Sequence, residues 1–190
     1  MKTNWTSELE GVHYKSNSIF TDERGSFVKF LDSSEIIEPN EAVEYQNFSI
    51  SRNPFKGTLR GLHFQVAPFA EDKVVMCIRG SIFEVFVDLR PSSKTYGKWT
   101  NFEVSETVAK TVWIPKGIAH GFQTMEDNTW VLYGISASFS PKHARRIFYK
   151  DSELGISWPD EVTHISKEDN HGMSWQEFEA LGSVLESHTP

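Results

Sequence analysis

The segment Thr58-Leu59-Arg60-Gly61-Leu62-His63-Phe64-Gln65 sets a guanidinium and an imidazole three residues apart in an otherwise apolar, strand-forming stretch. Successive strand side chains point to opposite faces, so Arg60 and His63 share a face only where Gly61 permits a kink or bulge. A fixed cation beside a titratable base suits chemistry on an anionic substrate. An edge-strand arginine with a half-buried histidine is the alternative reading of this segment taken alone.

Four further clusters carry ionisable groups. Asp22-Glu23-Arg24-Gly25 has the composition of a turn, solvated by default, with Arg24 available to an anion. Lys73 precedes four apolar residues at a strand start, where it either guards an edge or points a cation into a cavity. Ile114 to Phe122 reads as a turn between apolar strands and carries His120 beside Gly121, whose missing side chain permits close approach of a ligand. Lys167-Glu168-Asp169-Asn170-His171 reads by itself as a solvated loop.

The histidines do not fall at ligand spacing. A cupin-type metal site needs an HxH pair, but His63 is followed by Phe64 and Gln65, and His13, His143, His164, His171 and His188 are scattered. A metal is therefore not expected. There is no glycine-rich phosphate loop, no G-x-S-x-G elbow and no activated cysteine arrangement. A histidine base with a tyrosine acid and nearby cations fits proton transfer next to a carbonyl better than nucleophilic catalysis.

The elements that must position these groups are short strands. Ser26 to Phe30 and Tyr45 to Ile50 alternate, and Lys73 to Ile78 is a buried run closed by the Arg79-Gly80 turn. Ile82, Val85, Val87 and Leu89 belong to the returning strand. Trp99 to Val104, Thr111 to Ile114, Thr129 to Tyr133 and Arg146 to Tyr149 supply the rest. Strands at this spacing imply an all-β sandwich or barrel. Helix signals concentrate near the C-terminus. Ser174 with Glu177 makes a capping box ahead of an apolar stripe of Trp175, Phe178, Leu181 and Leu185, and a shorter helix is expected around Ser33 to Ile37.

The 190 residues suit one domain, without repeats or linkers, and the 38% hydrophobic content with six Trp fills a core. A formal charge of -7 argues against a nucleic-acid or anionic-membrane partner, so any anionic ligand needs a local basic cluster. The single cysteine, Cys77, sits among apolar neighbours as an inert buried thiol. No apolar signal core or membrane-length run occurs, and a cytoplasmic protein is expected.

In order along the chain, Phe20 to Phe27, Asn47 to Ser51, Leu59 to Gln65, Lys73-Val74-Val75 through Val87 to Arg90, Trp113 to Phe122, Leu132-Tyr133 and Leu154 to Pro159 resemble the dTDP-4-dehydrorhamnose 3,5-epimerases. The resemblance runs from about Phe20 to Asp169 and implies a cupin-like jelly roll over residues 1–190, its core at about 20–169 and a helical extension at 170–190. It implies proton removal and return at carbons flanking a C4 ketone of a nucleotide-linked 4-keto-6-deoxyhexose, in deoxysugar biosynthesis such as that of rhamnose for polysaccharides. By the same resemblance, His63 is the base, Asp169 holds its ring, Tyr133 is the acid, and Lys73 with His120 stabilises the enolate oxygen. Arg24, Asn47 and Arg60 hold the substrate. A homodimer without cofactor is implied.

The chain departs from the family pattern at Lys29, at Tyr45-Gln46-Asn47, around Asn53 to Lys56, at Ser138-Phe139-Ser140-Pro141, at Ala144 and at Glu168. Most of these positions bear on substrate rather than on proton transfer. The alternatives are therefore inversion at C3 alone, ketone migration on another nucleotide sugar, and a non-catalytic jelly roll that binds one.

Overall fold

The computed structural model describes residues 6–32 and 43–181. Among these residues fourteen strands carry the fold: β1 (Thr6–Leu9), β2 (Val12–Ser16), β3 (Ile19–Asp22), β4 (Gly25–Val28), β5 (Asn47–Asn53), β6 (Thr58–Gln65), β7 (Lys73–Arg79), β8 (Ser81–Asp88), β9 (Trp99–Ser105), β10 (Lys110–Ile114), β11 (Ile118–Thr124), β12 (Thr129–Ile135), β13 (Ala144–Arg146) and β14 (His164–Ile165). A 3-10 turn spans Asp169–His171, and helix α1 spans Trp175–Ala180.

Two six-stranded sheets face each other. One runs β1-β2-β10-β7-β12-β5; the other runs β13-β6-β11-β8-β9, with β14 pairing parallel to β6. Among the described residues, β3 and β4 pair only with each other. Strand periodicity explains the layers. On β8, Ile82 and Phe86 turn into the core between the sheets, with Val75 and Cys77 of β7, Ile118 and Phe122 of β11 and Val131 of β12. The intervening Val85 and Val87 face the other way and are covered by Ile147, Leu154 and Trp175 of the C-terminal segment. Fully burying a side chain such as Phe86 contributes about 1.5–3 kcal/mol.

Several expectations shift. The alternating Ser26 to Phe30 stretch is strand only to Val28 and has no buried face, since Phe27 is exposed. The strand expected at Arg146 to Tyr149 lies earlier, at Ala144–Arg146; Ile147 still exchanges backbone hydrogen bonds with Leu62 of β6 and also bridges Met173 in parallel, and beyond it Phe148 bonds to Met173 instead of to β6. The Ser174–Glu177 capping box forms as expected. Of the apolar stripe, Trp175 and Phe178 pack on the sheet while Leu181 is exposed, because the helix ends at Ala180. The helix expected around Ser33 to Ile37 and the stripe position Leu185 lie outside the described residues.

Candidate active site

At one end of the sandwich the inward-facing positions change from apolar to polar. β7 puts Lys73 in line with Val75 and Cys77, and β12 puts Tyr133 in line with Val131. β11 puts His120 between Ile118 and Phe122, and β8 puts Glu84 between Ile82 and Phe86. Lys73, Tyr133 and His120 line a cavity of about 610 Å³ with Arg60, His63, Asn47 and Glu71. Glu84 lies beneath it, fully buried.

Gly61 is what admits His63 to this group. Its φ of +126° is a conformation that side-chain-bearing residues rarely adopt, and the β6–β11 register shifts at this point. A Cβ on Gly61 would lie 2.4 Å from the Gly121 Cα, so the two strands meet glycine to glycine. The irregularity brings Arg60 and His63 to one cavity, with His63 directly across from His120.

His63 Nε2 lies 2.7 Å from Asp169 Oδ1. Asp169, on the 3-10 turn, is buried rather than solvated. Its Oδ2 accepts the Gly61 amide at 3.2 Å, and its Oδ1 also accepts Arg146 Nε at 3.0 Å. Burial opposes ionisation of Asp169, but the bonds and charge of His63, the Gly61 amide and Arg146 outweigh it and hold the carboxyl below its usual range. An ionised acceptor fixes the ring proton on Nε2, so Nδ1 of the neutral imidazole keeps its lone pair.

The second histidine has a different setting. His120 Nδ1 lies 3.3 Å from Glu84 Oε1, and Glu84 Oε2 has no hydrogen-bond partner among the described residues. Burial raises the Glu84 carboxyl to about 8, with Lys73 opposing. Burial, then the positive charges of Lys73 and His63, hold His120 well below the usual imidazole range. This pair is therefore neutral near pH 7. Burial, reinforced by the Glu84 charge, also holds the Tyr133 phenol well above 10, and its ring centroid lies 6.4 Å from that of His120.

Lys73 is not a bare cation: its Nζ pairs with Glu71 Oε1 at 2.7 Å, and Gln65 Nε2 donates to the other Glu71 oxygen. Arg60 donates to Asn53 Oδ1, and Asn47 to the Ala137 carbonyl. The lining holds five fixed cations (Arg52, Arg60, Lys73, Arg145, Arg146) against one carboxylate, Glu71. In a chain of net charge -7 that is a local inversion suited to an anionic ligand. Among the described residues, no group of three or more His, Cys, Asp or Glu could hold a metal ion.

One expected site residue is elsewhere. Arg24 is not in the cavity; it sits on the exposed β3–β4 turn and pairs with Asp22 at 2.6 Å. Three functional candidates escaped the sequence reading: Glu71, Glu84 and Arg146. Glu84 had a legible signal, a carboxylate at the same strand parity as Ile82 and Phe86.

Fold and site together define a cupin-like isomerase. The family model for dTDP-4-dehydrorhamnose 3,5-epimerase matches residues 6–177, and the chain belongs to that family. A dTDP-4-dehydrorhamnose 3,5-epimerase of Sinorhizobium fredii is 45% identical over 181 residues, covering 85% of this chain and 88% of the relative. Among solved structures, NovW, a 4-keto-6-deoxy sugar epimerase from the novobiocin biosynthetic gene cluster of Streptomyces spheroides, superposes with a TM-score of 0.88 at 29% identity, covering 95% of this chain and 90% of NovW. The Legionella pneumophila enzyme in complex with dTDP-4-keto-L-rhamnose gives 0.85 at 28% identity, with 97% of each chain covered.

Proposed function

We propose that this chain epimerises a dTDP-linked 4-keto-6-deoxyhexose at C3, C5 or both, on the path to dTDP-rhamnose or a related deoxysugar. The observation that carries this reading is the His63–Asp169 pair at the wall of a cationic cavity that also holds Tyr133 and Lys73. A carbon next to a ketone loses its proton when a poised base meets it and the enolate oxygen is stabilised.

His63 takes the proton on Nδ1 while ionised Asp169 steadies the resulting imidazolium. Tyr133, protonated throughout the physiological range, delivers a proton from the opposite face. Lys73 supplies charge to the enolate oxygen, tempered by Glu71, whereas neutral His120 contributes a hydrogen bond rather than a charge. One such donor is worth about 2.7–4 kcal/mol in comparable oxyanion sites. Arg60 and Asn47 hold the diphosphate and sugar. These steps draw only on side chains of the protein.

The enzyme acts as a homodimer. Phe48 and Ile50 stand exposed on β5, the outer strand of its sheet, and Phe20 and Phe27 stand exposed on the β3–β4 hairpin. Apolar residues on an open edge are what a second copy covers, and Arg24 on the same hairpin lies outside the cavity of its own chain, free to serve that of a second copy. A single cysteine without a disulfide partner supports a cytoplasmic setting, and no helix among the described residues is long and apolar enough to cross a membrane.

The test is turnover of dTDP-4-keto-6-deoxyglucose in deuterated water, followed by NMR. Deuterium at C3, C5 or both is expected, and its positions tell which centres invert. Bound substrate without deuterium would overturn the reading in favour of a non-catalytic binder.

A further inference from the structure

Arg146 is tied to the base by backbone register rather than by chance contact. It closes β13, where it lies directly across from His63 on β6. Opposed residues of an antiparallel pair stand side by side on one face. Its carbonyl accepts the Met173 amide, which fixes the strand just beyond the turn that supplies Asp169. From there Nε reaches the same Asp169 oxygen that engages His63, at 3.0 Å against 2.7 Å. Asp169 is thus shared between an imidazole and a permanent cation.

Sharing changes what the carboxylate does for its histidine. A carboxylate facing imidazole alone favours the protonated ring; a guanidinium on the same oxygen withdraws part of that support and adds a like charge. Other charged or titratable groups near His63 are Arg60 of its own strand, His120 of β11, Tyr133 of β12, Lys73 with Glu71, Arg52 of β5, Arg145 of β13 and His164 of β14. None of these bonds to Asp169; among the described residues, the side chains on its carboxylate are those of His63 and Arg146.

We propose that Arg146 is a positioning residue that weakens His63 as a base through Asp169, so that the imidazole stays unprotonated to lower pH and gives its proton back readily. This rests on the reading of His63 as the base. Because the Arg146 side chain is 35% exposed, solvent screens its effect, placing it at the low end of the range for close charge pairs.

The test compares kcat/KM against pH for the wild type, R146M and R146K, read as solvent deuterium exchange into substrate. In R146M the acid limb should move up by about one pH unit, whatever the height of the high-pH plateau, which also reports the loss of one cation from the cavity lining. In R146K, which keeps the charge, the limb should stay near its wild-type position. An R146M profile that falls uniformly without moving, or an R146K limb displaced as far as that of R146M, would overturn the proposal. The His63 ring titration, followed by its 15N shifts without substrate, gives an activity-independent readout in R146K and R146M; an unmoved titration in R146M also refutes it. Failure of the wild type to exchange at all would instead sink the assignment of the base.

Discussion

His63 and His120 face each other across neighbouring strands, and each meets one carboxylate. Their settings nevertheless push in opposite directions. Asp169 accepts His63, Arg146 and the Gly61 amide, and it stays ionised. Glu84 has one oxygen on His120 and none of its own on the other, so burial wins and it holds its proton. The same pairing of residue types thus gives a histidine beside an ionised carboxylate on one strand and a histidine beside a protonated one on the next. What separates them is the number of donors each carboxylate collects. Asp88, also buried, agrees with the rule: Arg90, Ser93 and Thr95 all donate to it, and it too lies below its usual range.

The contrast can be broken from its stronger side first. D169N removes the ionised acceptor and permits the wrong ring tautomer, so kcat should fall by about 100- to 10,000-fold with KM little changed. Steady-state kinetics on the 4-keto sugar nucleotide reads this directly; a loss below tenfold would mean that His63 does not depend on its carboxylate.

Glu84 offers the smaller, pH-dependent test. Burial pushes its carboxyl up to about 8 in the folded protein against 4.5 for an exposed glutamate, so folding binds a proton between those values and stability drains as pH rises through that window. E84Q removes the drain. The Tm difference, E84Q minus wild type, should therefore be more positive at pH 9 than at pH 5, by about 10 °C in thermal melts. A difference independent of pH would mean that Glu84 is ionised in the folded protein.

How far the sequence foretold this depends on the kind of contact. The strands of the sandwich were legible because alternation is local, and the α1 cap because Ser174 and Glu177 are three residues apart. Resemblance located His63, Asp169, Lys73, Tyr133 and His120, all of which fall in or against one cavity. Local composition misread Asp169 as solvated, since its burial comes from β6, some hundred residues earlier in the chain. Arg146 was invisible as a site residue because its role follows from β13–β6 register, which no spacing within β13 encodes. Glu71 escaped because its partner Lys73 read as a lone cation. Arg24 falls outside the cavity because, among the described residues, the β3–β4 hairpin joins neither large sheet.

The central claim is that one imidazole, His63, removes hydrogen from carbon. Its most direct measurement is NMR of substrate incubated in deuterated water with saturating H63N, after thermal melting has established that the variant folds. Deuterium uptake at every exchangeable sugar carbon should fall by at least about 1,000-fold. Uptake at the wild-type rate would contradict the account.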